Sequence, residues 1–193
     1  MSERKYLRAD EIERLRQAWK NWYRADRNRR AKYYWVFLVI LHTGARIREA
    51  LSAIAADFSE RDCQIKLKRL KLKKSRKSSK DLFKIIPIHE TAMDEILTTR
   101  LLAAQSGMLT PSYLGFYFSF KHCASIAGLD SKELAKPHAM RHSYAKWLLD
   151  QGIDASRVKK LLGHASLNST LVYLDETPED IGEAMRKKGL LRQ

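Results

Sequence analysis

The stretch from Gln64 to Ile88 limits the fold more than any other part of the chain, because the period of the pattern changes there. Ile65 and Leu67 alternate with Lys66 and Lys68, the two-residue period of a strand with one face in water. A Ser/Lys-rich turn from Lys73 to Lys80 leads to a second run, Leu82 to Ile88. Pro87 near its end suits an edge strand, since proline cannot donate to a ladder. The two runs predict one small antiparallel hairpin with a long, basic connection.

On either side the apolar residues recur at helical spacing. Asp10 and Glu11 open a helix carrying Leu15 and Trp19, and the basic run Asn21 to Lys32 is expected to contain a loop. Tyr33 to His42 reads as a buried helix stopping at Thr43-Gly44, with another expected from Ala45 to about Ala56. Beyond Glu90 the whole chain reads as helix. Thr91 and Asp94 make a capping-box-like start to a helix reaching about Ala104, and another spans Pro111 to Ala127. Pro137 opens one that runs to Asp150, and Asp154 caps a short one ended by Gly163. Asn168 to Asp175 and Glu179 to Lys188 complete the series. With 193 residues, 45% of them hydrophobic, the chain can fill one core. The fold class expected is mainly α with a small antiparallel β-hairpin or sheet (α+β), in a single domain over residues 1–193.

Lys and Arg number 37 against 22 Asp and Glu, a formal charge of +15. Such an excess speeds encounter with polyanions and supplies counterion-release affinity for nucleic acid, although a solvated basic surface is the plainer reading. Cys63 and Cys123 form no disulfide framework and no CxxC pair, and read as packing residues in a reducing compartment. The N-terminus has no apolar signal core, and the longest apolar stretch, Tyr33 to Leu41, is too short to cross a bilayer. A cytoplasmic protein is expected, with no membrane partner.

Cleaving a phosphodiester calls for cations fixed around the pentacoordinate transition state, preferably guanidinium forks that match two oxygens at once. It calls also for a nucleophile that can hold a phosphoryl link and an acid for the departing alkoxide. Four segments hold such parts: Thr43-Gly-Ala-Arg46-Ile-Arg-Glu49-Ala-Leu51, the basic hairpin around Lys71, His138-Ala-Met-Arg141-His142-Ser143, and Leu162-Gly-His164 with Tyr173 nine residues on. Each has a structural alternative. Arg46 alone reads as a surface helix residue, His138 and His142 as cap or core histidines, and His164 as a residue favouring a helix end. Tyr173, among Leu171, Val172 and Leu174, reads as a core aromatic. Lys71 is one of nine basic residues between Gln64 and Lys80, with no acid among them.

Together and in this order, the segments resemble the active-site boxes of the tyrosine recombinase (phage integrase) family, over about Leu7 to Leu174. The resemblance implies Arg46 as the first phosphate clamp, oriented by Glu49, and Arg141 as the second. It implies His138 as a proton-transfer residue with His142 supporting, His164 as a donor to the phosphate, and Tyr173 as the nucleophile. Lys71 stands where the family's catalytic lysine enters the hairpin turn, and Lys73 or Lys74 takes that place if the turn is shifted. Lys66, Lys68, Arg69, Lys73, Lys74, Arg76 and Lys77 are expected on DNA backbone. Met140 departs from the leucine common in the second box, a volume-conserving change. Few residues precede Arg46, so the family's helical core-binding domain is expected to be absent, as in the fimbrial-switch invertases or in a truncated integrase.

What the resemblance implies is site-specific recombination of double-stranded DNA through a 3′-phosphotyrosyl link, without metal or other cofactor. A homotetramer on a pair of specific sites, a monomer or weak oligomer off DNA, accessory DNA-bending proteins and a place in the nucleoid are implied with it. Thr177 to Gln193 resembles the helix that packs on a neighbouring protomer, and covering its own core is the other reading. Rivals are a type IB topoisomerase-like enzyme or hairpin resolvase, and a non-catalytic DNA-binding descendant. A metal-dependent nuclease lacks support, because no HxH, HExxH or carboxylate cluster appears.

Overall fold

The computed structural model describes residues 4–70, 82–108 and 110–163. Two compact units divide the chain, Met1–Tyr144 and Ala145–Gln193. The first holds helices α1 (Ala9–Ala25), α2 (Arg27–Thr43), α3 (Ile47–Leu51), α4 (Glu90–Gln105) and α5 (Tyr113–Ile126). It also holds strands β1 (Phe58–Ser59), β2 (Gln64–Lys68) and β3 (Phe83–Pro87). Helix α6 (Pro137–Asp150) begins in the first unit and ends in the second, which contains α7 (Ala155–Leu162). Among the described residues no helix is long and apolar enough to cross a membrane.

Helix α2 is the axis of the first unit. Val36, Phe37, Leu38, Val39 and Ile40 are all buried in succession, so it is covered on every side, as a helix apolar all round must be. It packs against α4 most extensively and also against α1 and α5. Trp19 of α1 anchors the core. Its indole stacks on Phe37 at 4.7 Å and on Phe116 at 5.6 Å, joining three helices through one side chain.

Several boundaries differ from the sequence expectation, each for a local reason. The basic run 21–32 contains no loop, only a single break. Asp26 leaves helical geometry and its carboxylate accepts from the Arg29 N–H at 3.2 Å, starting α2 at once. Helix α3 stops at Leu51 instead of running to Ala56. The Ser52 hydroxyl donates to the Glu49 carbonyl at 2.9 Å, and Asp57 then caps a separate 3₁₀ turn, Ala55–Asp57, through the Ile54 N–H. The cap of α4 is His89, whose ring nitrogen accepts from the Thr91 N–H at 3.3 Å, so the expected Thr91/Asp94 pair lies inside the helix. Pro111 precedes α5, which Ser112 caps at the Gly115 N–H.

The hairpin is present, with a third strand. The order is β1-β2-β3, all antiparallel, and β3 is an edge, which accommodates Pro87. Ile65 and Leu67 point inward and Lys66 and Lys68 outward, as the alternation requires. On β3 two positions depart from what hydrophobicity alone suggests. Ile86 pairs with Ile65 on the buried face, so the two-residue period puts Lys84 inside, opposite Leu67, and leaves Ile85 56% exposed. The helices expected over 168–175 and 179–188 lie outside the described residues.

A candidate phosphate-binding site

Helix α2 ends where Gly44 turns left-handed (φ 60°) and its N–H returns to the Ile40 carbonyl. The Thr43 hydroxyl donates back to Val39 and accepts from the Ala45 N–H, fixing the turn. Arg46 therefore stands at the head of α3. The Glu49 carboxylate one turn on accepts from the Arg46 N–H at 3.1 Å through Oε2 and pairs with Arg46 Nη1 at 3.0 Å through Oε1. Oε2 also lies 2.7 Å from Nζ of Lys84. Both Glu49 and Lys84 have side chains 1% exposed, whereas Arg46 is 24% exposed.

Burial works against the Glu49 carboxylate, but Lys84 and then Arg46 outweigh it and hold it below the usual carboxylate range. For Lys84 burial dominates. Glu49 offsets only part of it, Arg141 and Arg46 add repulsion, and the ammonium is pushed down to about 8.

The second arginine reaches the same turn from far along the chain. Arg141, on α6, is buried and donates from Nη1 to the Gly44 carbonyl at 2.8 Å, a contact across 97 residues. On the same helix the His138 and His142 rings meet edge to face at 4.7 Å. Burial and the charges of His138 and Arg141 push His142 down to about 4, so its ring is neutral at pH 7. Ser143 secures this segment, accepting from the Leu7 N–H at 2.7 Å and donating to the Ala139 carbonyl at 2.8 Å.

A cleft of about 580 Å³ opens on this arrangement, lined by Ala45 to Glu49, Leu70, Tyr113, Tyr117 and Lys136 to His138. Arg46, Glu49 and His138, singled out by sequence, thus share one cleft, with Arg141 bonded to the turn beneath Arg46. Lys66 and Lys68 project from the exposed face of β2, and Lys66 Nζ sits 4.5 Å from the centre of the Phe83 ring. The Arg69 N–H donates to the Leu82 carbonyl at 2.8 Å, continuing the ladder one rung beyond the paired residues of β2 and β3. Lys71, Lys73, Lys74, Arg76, Lys77, His164 and Tyr173 lie outside the described residues.

Sequence reasoning missed five residues here. Arg48, Tyr113, Tyr117 and Lys136 line the cleft, with the Arg48 guanidinium 5.8 Å from the Tyr113 ring and the two tyrosine rings parallel at 6.4 Å. Arg48 stands inside the first box without a role assigned to it, and no motif marks the other three, because α3, α5 and the approach to α6 meet only in the fold. Lys84 is the fifth, and it had a signal: counting back by two from Ile88 and Ile86 puts a lysine on the buried face. Of the cysteines, Cys123 is buried, its thiol pushed up to about 12, as a packing residue should be. Cys63 is half-buried in a turn at φ 48°, an uncommon conformation for a residue other than glycine.

In solved structures the chain resembles XerA recombinase, with a TM-score of 0.75 at 22% identity over 100% of this chain and 68% of that one. It resembles XerH site-specific recombinase bound to difH substrate equally well, with a TM-score of 0.75 at 21% identity over 95% of this chain and 54% of that one. The catalytic domain of bacteriophage HP1 integrase follows, with a TM-score of 0.63 at 20% identity over 98% and 100%. At those identities the likeness speaks for the fold. In sequence the chain is 32% identical to the tyrosine recombinase XerD of Vibrio cholerae serotype O1 over 145 residues, 68% of this chain and 45% of that protein. It is also 44% identical to the tyrosine recombinase XerA of Pyrococcus furiosus over 55 residues, 28% of this chain and 19% of that protein. The chain thus spans less than half the length of these curated relatives. The family model described as the phage integrase family matches residues 5–180, and the chain belongs to that family.

Proposed function

We propose that the chain is the catalytic part of a tyrosine site-specific recombinase acting on double-stranded DNA. The observation that carries this is the meeting of Arg46, Glu49, Arg141 and His138 around the Gly44 turn, from two boxes about a hundred residues apart. Arg46 and Arg141 supply the fixed positive charge that a pentacoordinate phosphate needs, and His138 stands at the same cleft as a proton acceptor. The Tyr173 oxygen attacks phosphorus and His138 takes the phenolic proton. The bond from phosphorus to the 5′-oxygen breaks, and Lys71 protonates that oxygen. His164 donates to a non-bridging oxygen. A 5′-hydroxyl from the partner strand then attacks the phosphotyrosine, reseals the DNA and releases Tyr173.

Leu70, at the rim of the cleft, directly precedes Lys71 in the chain, which favours that lysine over Lys73 or Lys74. Lys66, Lys68 and Arg69, with Lys73, Lys74, Arg76 and Lys77, grip DNA backbone beside it, and Arg48 and Lys136 extend the basic lining of the cleft. Residues 1–193 act as one catalytic domain, assembled as a homotetramer on paired recombination sites.

The test is a nicked suicide substrate carrying the candidate site, incubated with protein and EDTA and run on a denaturing gel. A covalent adduct that survives EDTA and vanishes in Tyr173→Phe is expected. Binding without any adduct on authentic site DNA would overturn the reading in favour of a DNA-binding protein that does not cut.

A further inference from the structure

Lys84 is not among the groups the reaction above uses, yet it is buried against them. Its side chain leaves β3 on the inner face opposite the apolar Leu67, and the charged groups acting on it are Glu49 and Arg46 of the α3 segment and Arg141 of α6. A lysine is rarely this buried unless a partner compensates it, and here the partner is the carboxylate that also holds Arg46.

The division of the Glu49 oxygens is informative. Oε1 takes Arg46 Nη1, while Oε2 takes the Arg46 N–H and Lys84 Nζ. Glu49 therefore engages the guanidinium by one nitrogen only. A guanidinium fork beside a lone carboxylate prefers to engage both oxygens. With Lys84 on Oε2, that two-point grip is blocked, and the rest of the Arg46 fork stays directed at the cleft.

We propose that Lys84 is a positioning residue: by occupying Oε2 of Glu49 it keeps that carboxylate from capturing Arg46 and so holds the first phosphate clamp open to DNA. This rests on the reaction proposed above, and its consequences differ from those of an ordinary buried lysine. Lys84→Met fills the same volume without charge and lets Arg46 fold onto both Glu49 oxygens. Lys84→Arg keeps a cation there at every working pH. The charge on Lys84 is lost as pH rises through about 8, so the wild-type advantage fades above that pH.

The experiment measures single-turnover cleavage of the suicide substrate, with DNA affinity and thermal melting recorded on the same proteins. Lys84→Met is expected to lose roughly tenfold to a hundredfold in cleavage rate, the scale of a misplaced reacting group, at nearly unchanged DNA affinity. Adding Glu49→Gln to Lys84→Met should restore part of the rate, because an amide does not capture the fork. The wild-type rate should fall above pH 8 relative to Lys84→Arg. Wild-type cleavage by Lys84→Met, or a further loss in the double variant, overturns the proposal. A crystal structure of Lys84→Met reads the same point without activity: both Glu49 oxygens on the guanidinium support it, and an unmoved Arg46 refutes it. If the wild-type protein binds site DNA and never forms an adduct, the recombinase reading fails, while the crystallographic result still decides the role of Lys84.

Discussion

At the scale of single residues, the buried charges set how this site answers to pH. His142 titrates near 4 in the folded chain and near 6.5 when unfolded, so between those values the unfolded chain holds the extra proton. The stability tied to the neutral ring is complete above about 6.5 and is lost as pH falls toward 4. After allowance for partial solvent screening this amounts to roughly 2 kcal/mol. Urea melts at pH 7 and pH 4.5 should show the wild type losing that much more than His142→Gln; equal losses in both would remove His142 as the cause. Lys84 behaves in the same sense, in a more alkaline window. Its folded pKa lies below its unfolded one, so the cost of burying the ammonium is relieved as pH rises from about 8. Alkaline loss of cleavage, if it follows Lys84, is therefore not unfolding.

Elements show where local chemistry settles a boundary and where it does not. Gly44, Pro137, Asp154 and Gly163 end or begin helices as their chemistry dictates, since a cap or a left-handed turn is decided within a few residues. The break at Asp26 and the early stop of α3 were not legible, because a short side chain competing for one backbone group leaves almost no trace in the apolar pattern. Strand β1 was missed for a related reason: two residues carry no period, and Phe58–Ser59 is a strand only by pairing with Ile65 and Gln64. The turn that follows it holds Cys63 at φ 48°. Cys63→Asn should raise stability by about 0.5–1 kcal/mol, because asparagine tolerates the left-handed region. A differential melt of the two proteins checks it, and a lower melting temperature for the asparagine variant would show that the thiol has a packing role there.

Over the whole molecule, the +15 charge predicts binding dominated by phosphate contacts. Affinity for site DNA should fall about a thousandfold between about 50 and 200 mM salt, the behaviour expected for several neutralised phosphates. A titration series in a fluorescence anisotropy assay measures the slope, and a flat dependence would place recognition outside the basic surface. The sequence alone determined the class of the fold, most helix limits, the hairpin and the identity of the box residues, because caps, periodicity and short motifs are local properties. Only the tertiary structure decided that Arg141 donates to the Gly44 carbonyl, that Tyr113 and Tyr117 share a cleft with Arg46, and that Lys84 faces Glu49. Those contacts join residues 35 to 97 positions apart or depend on strand register, and both are settled by how elements pack rather than by what lies next in the chain.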